Sequence, residues 1–480
     1  MLADNERHLR ELSFIRDVRI VIDTIAGNKD SIDIIIITKD VFSIGGNVDI
    51  SNTKRGELEV REENFEGTGT KIAFAGLYDK ERNPQYGIGG EVMIRNIRAS
   101  FINFTTGFKN FRGAYNSGMQ QETTVYAKIE KPLVSAYLAS TGALEASYNK
   151  TDNNFKLSDS VYKTDHNYNY LNIDAWYAYS FGGKNLRSKN METRIRSFFA
   201  LRSFYQKFFD NPYSFYGLMD YRYVNSMGLL ASINVFKQNF YKTSFIYGFG
   251  IYEDVPQGFN LSLTTGWSNK NKRNRPYAGL DFLYTHYSEK GFYNAYTFRT
   301  GSNFYSKRFE DCELLFNIDH FTRLKYLNAK WFNRNFLSIG FAYQLNPVVN
   351  TPLFLNSMYG LPYFNNGYVI GDLRVTGRAE SVFYGTSKIF GFRFAPFVFA
   401  DASLLKPTKE NLSKTILYSA LGGGVRSRNE NLVFGTMELR GYYFPRTNEN
   451  YKNWKVEFNT GLRFRFLSQF IKRPDFVISN

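Results

Sequence analysis

Trp454-Lys-Val-Glu-Phe-Asn-Thr-Gly-Leu-Arg-Phe-Arg-Phe466 alternates from end to end. In an extended chain successive side chains point to opposite faces. Trp454, Val456, Phe458, Thr460, Leu462, Phe464 and Phe466 therefore share one face, and Lys455, Glu457, Asn459, Gly461, Arg463 and Arg465 the other. Such a strand is stable with its apolar face toward lipid and its charged face toward a wet lumen; reversed, it would cost roughly 2–4 kcal/mol for each Arg or Lys near the bilayer midplane. The same period recurs upstream. Leu171, Ile173, Ala175, Tyr177, Tyr179 and Phe181 alternate with Asn172, Asp174, Trp176, Ala178 and Ser180, and Leu337, Ile339, Phe341, Tyr343 and Leu345 with Ser338, Gly340, Ala342 and Gln344.

Composition agrees with these runs. The chain has 480 residues, 43% hydrophobic and 18% aromatic, with 35 Tyr and 46 Phe, yet its mean hydropathy is only −0.37. No run approaches the roughly 18 apolar residues of a transmembrane helix; Ile32 to Ile37 is short and interrupted by Asp33. Average hydropathy with many aromatics fits a barrel whose strands alternate lipid-facing and lumen-facing residues. The net charge of +16 comes from dispersed Lys and Arg, as lumen lining and contact with anionic headgroups require, and not from a nucleic-acid-binding patch. A single cysteine, Cys312, excludes a disulfide framework, and His8, His166, His286 and His320 are too scattered to bind a metal. No cofactor is expected. The charged start at Met1 has no apolar signal core, so an exported chain is expected to begin inside a longer precursor.

The first residues differ from the rest. Leu9 and Leu12 among charges end an amphipathic helix; Val18, Ile20 and Ile22 mark a strand, Gly27-Asn28 a turn, and Ile32 to Thr38 a second strand. This is half of a small α+β domain, too little to bury its own core. The expected organisation is that half domain over 1–41, an all-β transmembrane antiparallel barrel over 42–466, and an extension over 467–480, where Pro474 breaks the alternation. At about 10 residues per strand, with turns and some long loops, the barrel has on the order of sixteen strands.

Several segments resemble the BamA/TamA superfamily of outer-membrane assembly and translocation barrels. Arg7-His-Leu-Arg-Glu-Leu-Ser-Phe-Ile-Arg-Asp-Val-Arg-Ile, with Asp30-Ser-Ile-Asp-Ile, resembles the second half of a POTRA domain, the family's periplasmic module. Asn64-Phe-Glu-Gly-Thr-Gly is similar to a segment at the second barrel strand, Glu130-Lys-Pro to an early hairpin, and Glu253-Asp-Val-Pro-Gln-Gly to a mid-barrel turn. Phe397-Val-Phe-Ala-Asp-Ala-Ser resembles the "F-x-D-x-G" strand with Asp401 at the Asp position, and Glu380 sits where the family has a lumen-facing Glu. The resemblance has two departures. The family's Arg-Gly loop tip is Tyr359-Gly360 here, and Ser403 replaces the strand motif's Gly. The charge-assisted lock between loop Arg and strand Asp therefore cannot form as it does in the family.

The resemblance implies a barrel that inserts or translocates outer-membrane polypeptides through a weak seam between its first and last strands, to which a client strand adds by main-chain hydrogen bonding. Gly45, Gly46 and Val48 would lie on one side, Gly461 and Phe466 on the other. Implied partners are outer-membrane lipids and lipopolysaccharide, unfolded outer-membrane protein clients, and periplasmic chaperones or accessory lipoproteins, with the half POTRA domain in the periplasm. The alternative is a barrel that anchors an N-terminal hydrolase, such as a patatin-like lipase; a diffusion porin is the third reading, disfavoured by the POTRA-like start. No catalytic constellation is apparent. Gly67-Thr-Gly-Thr-Lys lacks phosphate-loop spacing, Gly422-Gly-Gly fits a crowded curved strand, and Asp401 with Glu380 reads as ordinary lumen carboxylates.

Overall fold

In a membrane, alternating strands satisfy both faces when the sheet closes around a polar interior and meets lipid outside. The computed structural model describes every residue except 1, 25–31, 53, 115–120, 136–137, 182–194, 213–222, 365–368, 433–434, 448–451 and 463–469. Among the described residues twenty antiparallel strands form a closed barrel. They follow one another round the sheet in chain order from Ile44–Asn52 to Trp454–Leu462, which closes on the first. Arg308–Phe321 and Lys325–Asn328 both pair with Trp331–Leu345 and make one interrupted strand.

Twenty strands correct the sequence-based sixteen. The smaller number assigned too much chain to long loops. Instead, Asn271-Lys272 and Ser306-Lys307 connect long strands in two residues, each with positive φ, the geometry that matches the twist of a hairpin.

Side-chain placement is inside out. Along Ser226–Thr243, Leu229 and Ile233 are exposed at 54% and 46%, while Ser232 and Asn234 are buried at 2% and 0%. Ile173, Tyr177 and Tyr179 face outward around buried Asp174. Arg202, Arg275, Arg374 and Arg426 are buried in the interior. This arrangement belongs to a membrane-spanning barrel. No described helix is long and apolar enough to cross a membrane.

A helix, Leu2–Glu11, and a hairpin of Ile15–Thr24 with Ile32–Asp40 precede the barrel; the turn expected at Gly27-Asn28 lies outside the described residues. The helix sits across the mouth where the first barrel strand begins, here the lower mouth. Arg10 makes a two-pronged contact with Asp254 at 2.8 and 3.0 Å, and Arg7 donates to the Val134 carbonyl at 3.0 Å. Asp4 accepts from Ser135 at 2.7 Å, and Arg16 pairs with Glu430 at 3.0 Å.

Candidate functional site

The interior is organised around Glu380 on strand Leu373–Gly385. Its carboxylate takes both prongs of Arg426 at 2.6 and 2.8 Å and an Arg440 nitrogen at 3.0 Å. Glu438 lies between the same arginines at 2.7 Å from each, so two cations balance two anions. Both guanidinium groups stack on Phe397, at 4.3 and 4.7 Å. Gly424 and Gly422 make room: a Cβ there would stand 2.9 Å from the Phe397 ring and 2.7 Å from that of Phe399. The wall thus supplies its own arginines to the lumen Glu.

The connection between Trp331–Leu345 and Leu373–Gly385 folds down from the upper end into the lumen. Val349, Leu353, Leu355 and Leu361 are fully buried, and Leu355, Leu361 and Phe364 join an aromatic core with Phe397, Phe399, Tyr418 and Tyr442. The loop lacks an arginine tip, and wall residues both donate to it and accept from it. Arg374 on the wall donates to the Phe354 carbonyl and the Ser357 hydroxyl, and Arg378 to the Met358 carbonyl at 3.2 Å. The Asp311 carboxylate accepts the N–H groups of Val348, Val349 and Asn350 at 2.6, 3.1 and 3.2 Å. Tyr359, half-buried, turns its phenol toward Arg299. Gly360 is required by close approach, since a Cβ would lie 2.1 Å from the Leu355 carbonyl oxygen. Asp401 is buried opposite Arg378 in the register. Among the described residues it makes no ion pair and does not meet the loop tip.

The stretch expected as an extension beyond the last strand has its described residues, 470–480, inside the lumen. Residues 470–480 run up the lumen wall from the lower mouth. Phe470 packs on Phe236 and Phe240 and lies under Arg7 of the mouth helix. At the upper end Asn480 donates to the Pro352 carbonyl at 2.8 Å and accepts from Phe354 N–H at 2.8 Å, joining the segment to the folded-in loop. A cavity of about 1330 Å³ remains between mouth helix and segment. His8 lines it, edge-on to Phe101; burial, and then the neighbouring Arg7 charge, push its imidazole pKa below the ordinary value.

Among the described residues the first and last strands meet in two residue pairs, Phe458 with Ile50 and Asn459 with Asp49. On the far side Ser226–Thr243 and Glu253–Lys270 pair along their whole length. Beyond the two pairs, the Thr460 hydroxyl accepts from Val48 N–H and donates to Val48 C=O at 3.0 Å. Alternation assigns Thr460 to the lipid face, but it is only 6% exposed. Its side chain leans across the seam because the ladder beside it has stopped. Gly45 and Gly46 lie farther along the first strand, paired with Arg61 and Val60 of the second; Gly461 follows Thr460, and Phe466 lies outside the described residues.

Solved structures of similar architecture exist. CdiB from Escherichia coli aligns over 96% of this chain and 69% of its own, with TM-score 0.45 and 9% identity. CdiB from Acinetobacter baumannii aligns over 94% and 66%, with TM-score 0.39 and 12% identity. BamA from Haemophilus ducreyi lacking POTRA domains 1–3 aligns over 95% and 76%, with TM-score 0.37 and 12% identity. No family model and no curated protein matches the sequence.

Sequence reasoning singled out Glu380 and Asp401 but missed the arginines that organise the interior, Arg374, Arg378, Arg426 and Arg440. Their parity was available: each falls on the lumen face of an alternating run. It also missed Phe470, Ile471 and Val477, all buried, three apolar residues in a stretch too irregular to be a strand.

Proposed function

We propose that this chain is an outer-membrane barrel of the BamA/TamA type that inserts or translocates outer-membrane polypeptides through the seam between Ile44–Asn52 and Trp454–Leu462, with its N-terminal segment, half of a POTRA domain, on the periplasmic side. The observation that carries the reading is the seam itself: among the described residues it has two backbone pairs and one side-chain bridge, where every other barrel junction has a longer ladder. A net hydrogen bond is worth only about 0.5–1.5 kcal/mol, so this junction costs least to part. Once parted, it offers two strand edges to an incoming strand, which adds by main-chain hydrogen bonding. Client folding supplies the energy and no nucleotide is needed. Lipids and lipopolysaccharide surround the outer belt, and chaperones or accessory lipoproteins deliver clients from the periplasm. The filled lumen argues against an open diffusion pore.

The test is a lock. Cysteines at Val48 and Thr460, on a Cys312→Ser background, should form a disulfide that abolishes client insertion into liposomes and leaves heat-modifiable gel mobility intact. Full insertion activity in quantitatively crosslinked protein would overturn the seam reading and favour a barrel that anchors a hydrolase domain.

A further inference from the structure

Residues 470–480 are held in a way that no strand ladder explains. Five of their main-chain groups bond to side chains from five different strands. Asn260 donates to the Phe470 carbonyl at 2.7 Å, Arg202 to Pro474 at 3.0 Å, Arg299 to Ile478 at 3.4 Å and Arg374 to Ser479 at 2.9 Å; the Val477 N–H donates to the Tyr277 hydroxyl at 2.7 Å. Main-chain bonding gives affinity with little demand on sequence, and pockets for chosen side chains add selectivity. The selective positions are the rings of Phe470, against Phe236 and Phe240, and of Phe476, 4.7 Å from Tyr277 and 5.7 Å from Phe204.

The charged residues of the wall also keep partners without the segment. Asp174, which receives Arg473 at 2.9 Å, already holds Arg202 at 2.6 Å. Arg299 keeps Asp281 at 2.7 Å, and Glu313, bonded by Ser479, keeps Gln344 at 2.6 Å. Arg374 keeps the Phe354 carbonyl and Ser357. Withdrawing a segment usually strands buried charges, at several kcal/mol each. Here each charged contact leaves a paired wall residue behind, and the cavity of about 1330 Å³ beside the segment gives it space to leave.

We propose that this inner wall is a binding site for a non-helical peptide segment, read mainly through its backbone and anchored by two aromatic side chains, and that residues 470–480 of the chain itself fill it as a releasable occupant. The site is separate from the seam and stands whether or not the seam opens.

The experiment uses a fluorescently labelled synthetic peptide, Phe-Ile-Lys-Arg-Pro-Asp-Phe-Val-Ile-Ser-Asn, added to purified barrel in nanodiscs and read by anisotropy. The full chain should bind weakly because its own segment competes. A chain ending at residue 469 should bind saturably and about tenfold more tightly or better, a difference of at least ~1.4 kcal/mol. A peptide with both Phe residues changed to Ala should lose most of that affinity. If the shortened chain does not give a heat-modifiable barrel, full-length Phe470→Ala/Phe476→Ala replaces it, since its weakened segment should yield to the labelled peptide. Absence of saturable binding to whichever of these barrels folds, or equal binding by the intact chain, would overturn the proposal.

Discussion

Thr460→Val keeps the shape of the side chain and removes the hydroxyl that, among the described residues, bridges the seam below its two ladder pairs. In the wild-type barrel the Thr460 hydroxyl serves Val48 twice, accepting from its N–H and donating to its C=O. Each lost bond is worth about 0.5–1.5 kcal/mol net, and together they remove about 1–3 kcal/mol. Val48 has no other partner strand to turn to, because its remaining neighbour, Leu58, is already on its far side. At about 1.4 kcal/mol per factor of ten, the open seam should be populated roughly five- to 150-fold more often. Hydrogen–deuterium exchange of the barrel in nanodiscs reads this directly. Peptides covering 44–52 and 454–462 should exchange faster by that factor, while the fully paired ladder of Ser226–Thr243 with Glu253–Lys270 should not change. Heat-modifiable mobility should persist, since the rest of the sheet is untouched. Unchanged exchange at the seam, with the substitution verified, would refute the idea that this hydroxyl completes the junction.

Other perturbations separate the interior contacts. Glu380→Gln removes the carboxylate charge that Arg426 and Arg440 share; Glu380 is partly exposed to the lumen, so the loss should lie toward the lower end of ~3–5 kcal/mol, seen as a fall in the temperature at which the folded gel band disappears. Asp401→Asn, which breaks no ion pair, should lower that temperature less, and an equal fall would show that Asp401 has an essential partner. Arg374→Ala removes the donor to Phe354 and Ser357, and limited proteolysis should then cut within 346–372 at least several-fold faster than in wild type. For His8 the folded pKa lies below the unfolded one, so the undocked helix binds more protons. Docking of Leu2–Glu11 should therefore hold above the ordinary imidazole value of about 6.5 and weaken as pH falls through it. Solvent accessibility of a cysteine placed at Asn5 should track that fall, and His8→Phe should flatten it.

The barrel was legible because its decisive signal is local. Alternation in Trp454–Leu462, or around Asp174, depends only on neighbours in the chain, and with so many aromatic residues and no long apolar run a barrel with lipid outside and polar groups inside accommodates it. Strand number was less legible, since a tight turn at Asn271-Lys272 and a long loop look alike when both are polar. Interior contacts were harder still. Glu380 could be placed on the lumen face, but that Arg426 and Arg440 meet it depends on how three strands align, which no single run encodes. The seam shows the same limit: Thr460 has the parity of a lipid-facing residue, and only the early end of the ladder beside it explains why its hydroxyl turns to Val48. Residues 470–480 carry no period at all, because their shape is set by the wall they follow.

The position of Phe470 beneath Arg7, 5.0 Å from ring centre to guanidinium, also imposes an order of events. The helix Leu2–Glu11 lies across the mouth through which the final segment enters, and it rests on that segment's first described residue. It can therefore settle only after residues 470–480 have threaded past it. The helix is then among the last elements to find its place, and its docking reports that residues 470–480 are seated in the lumen.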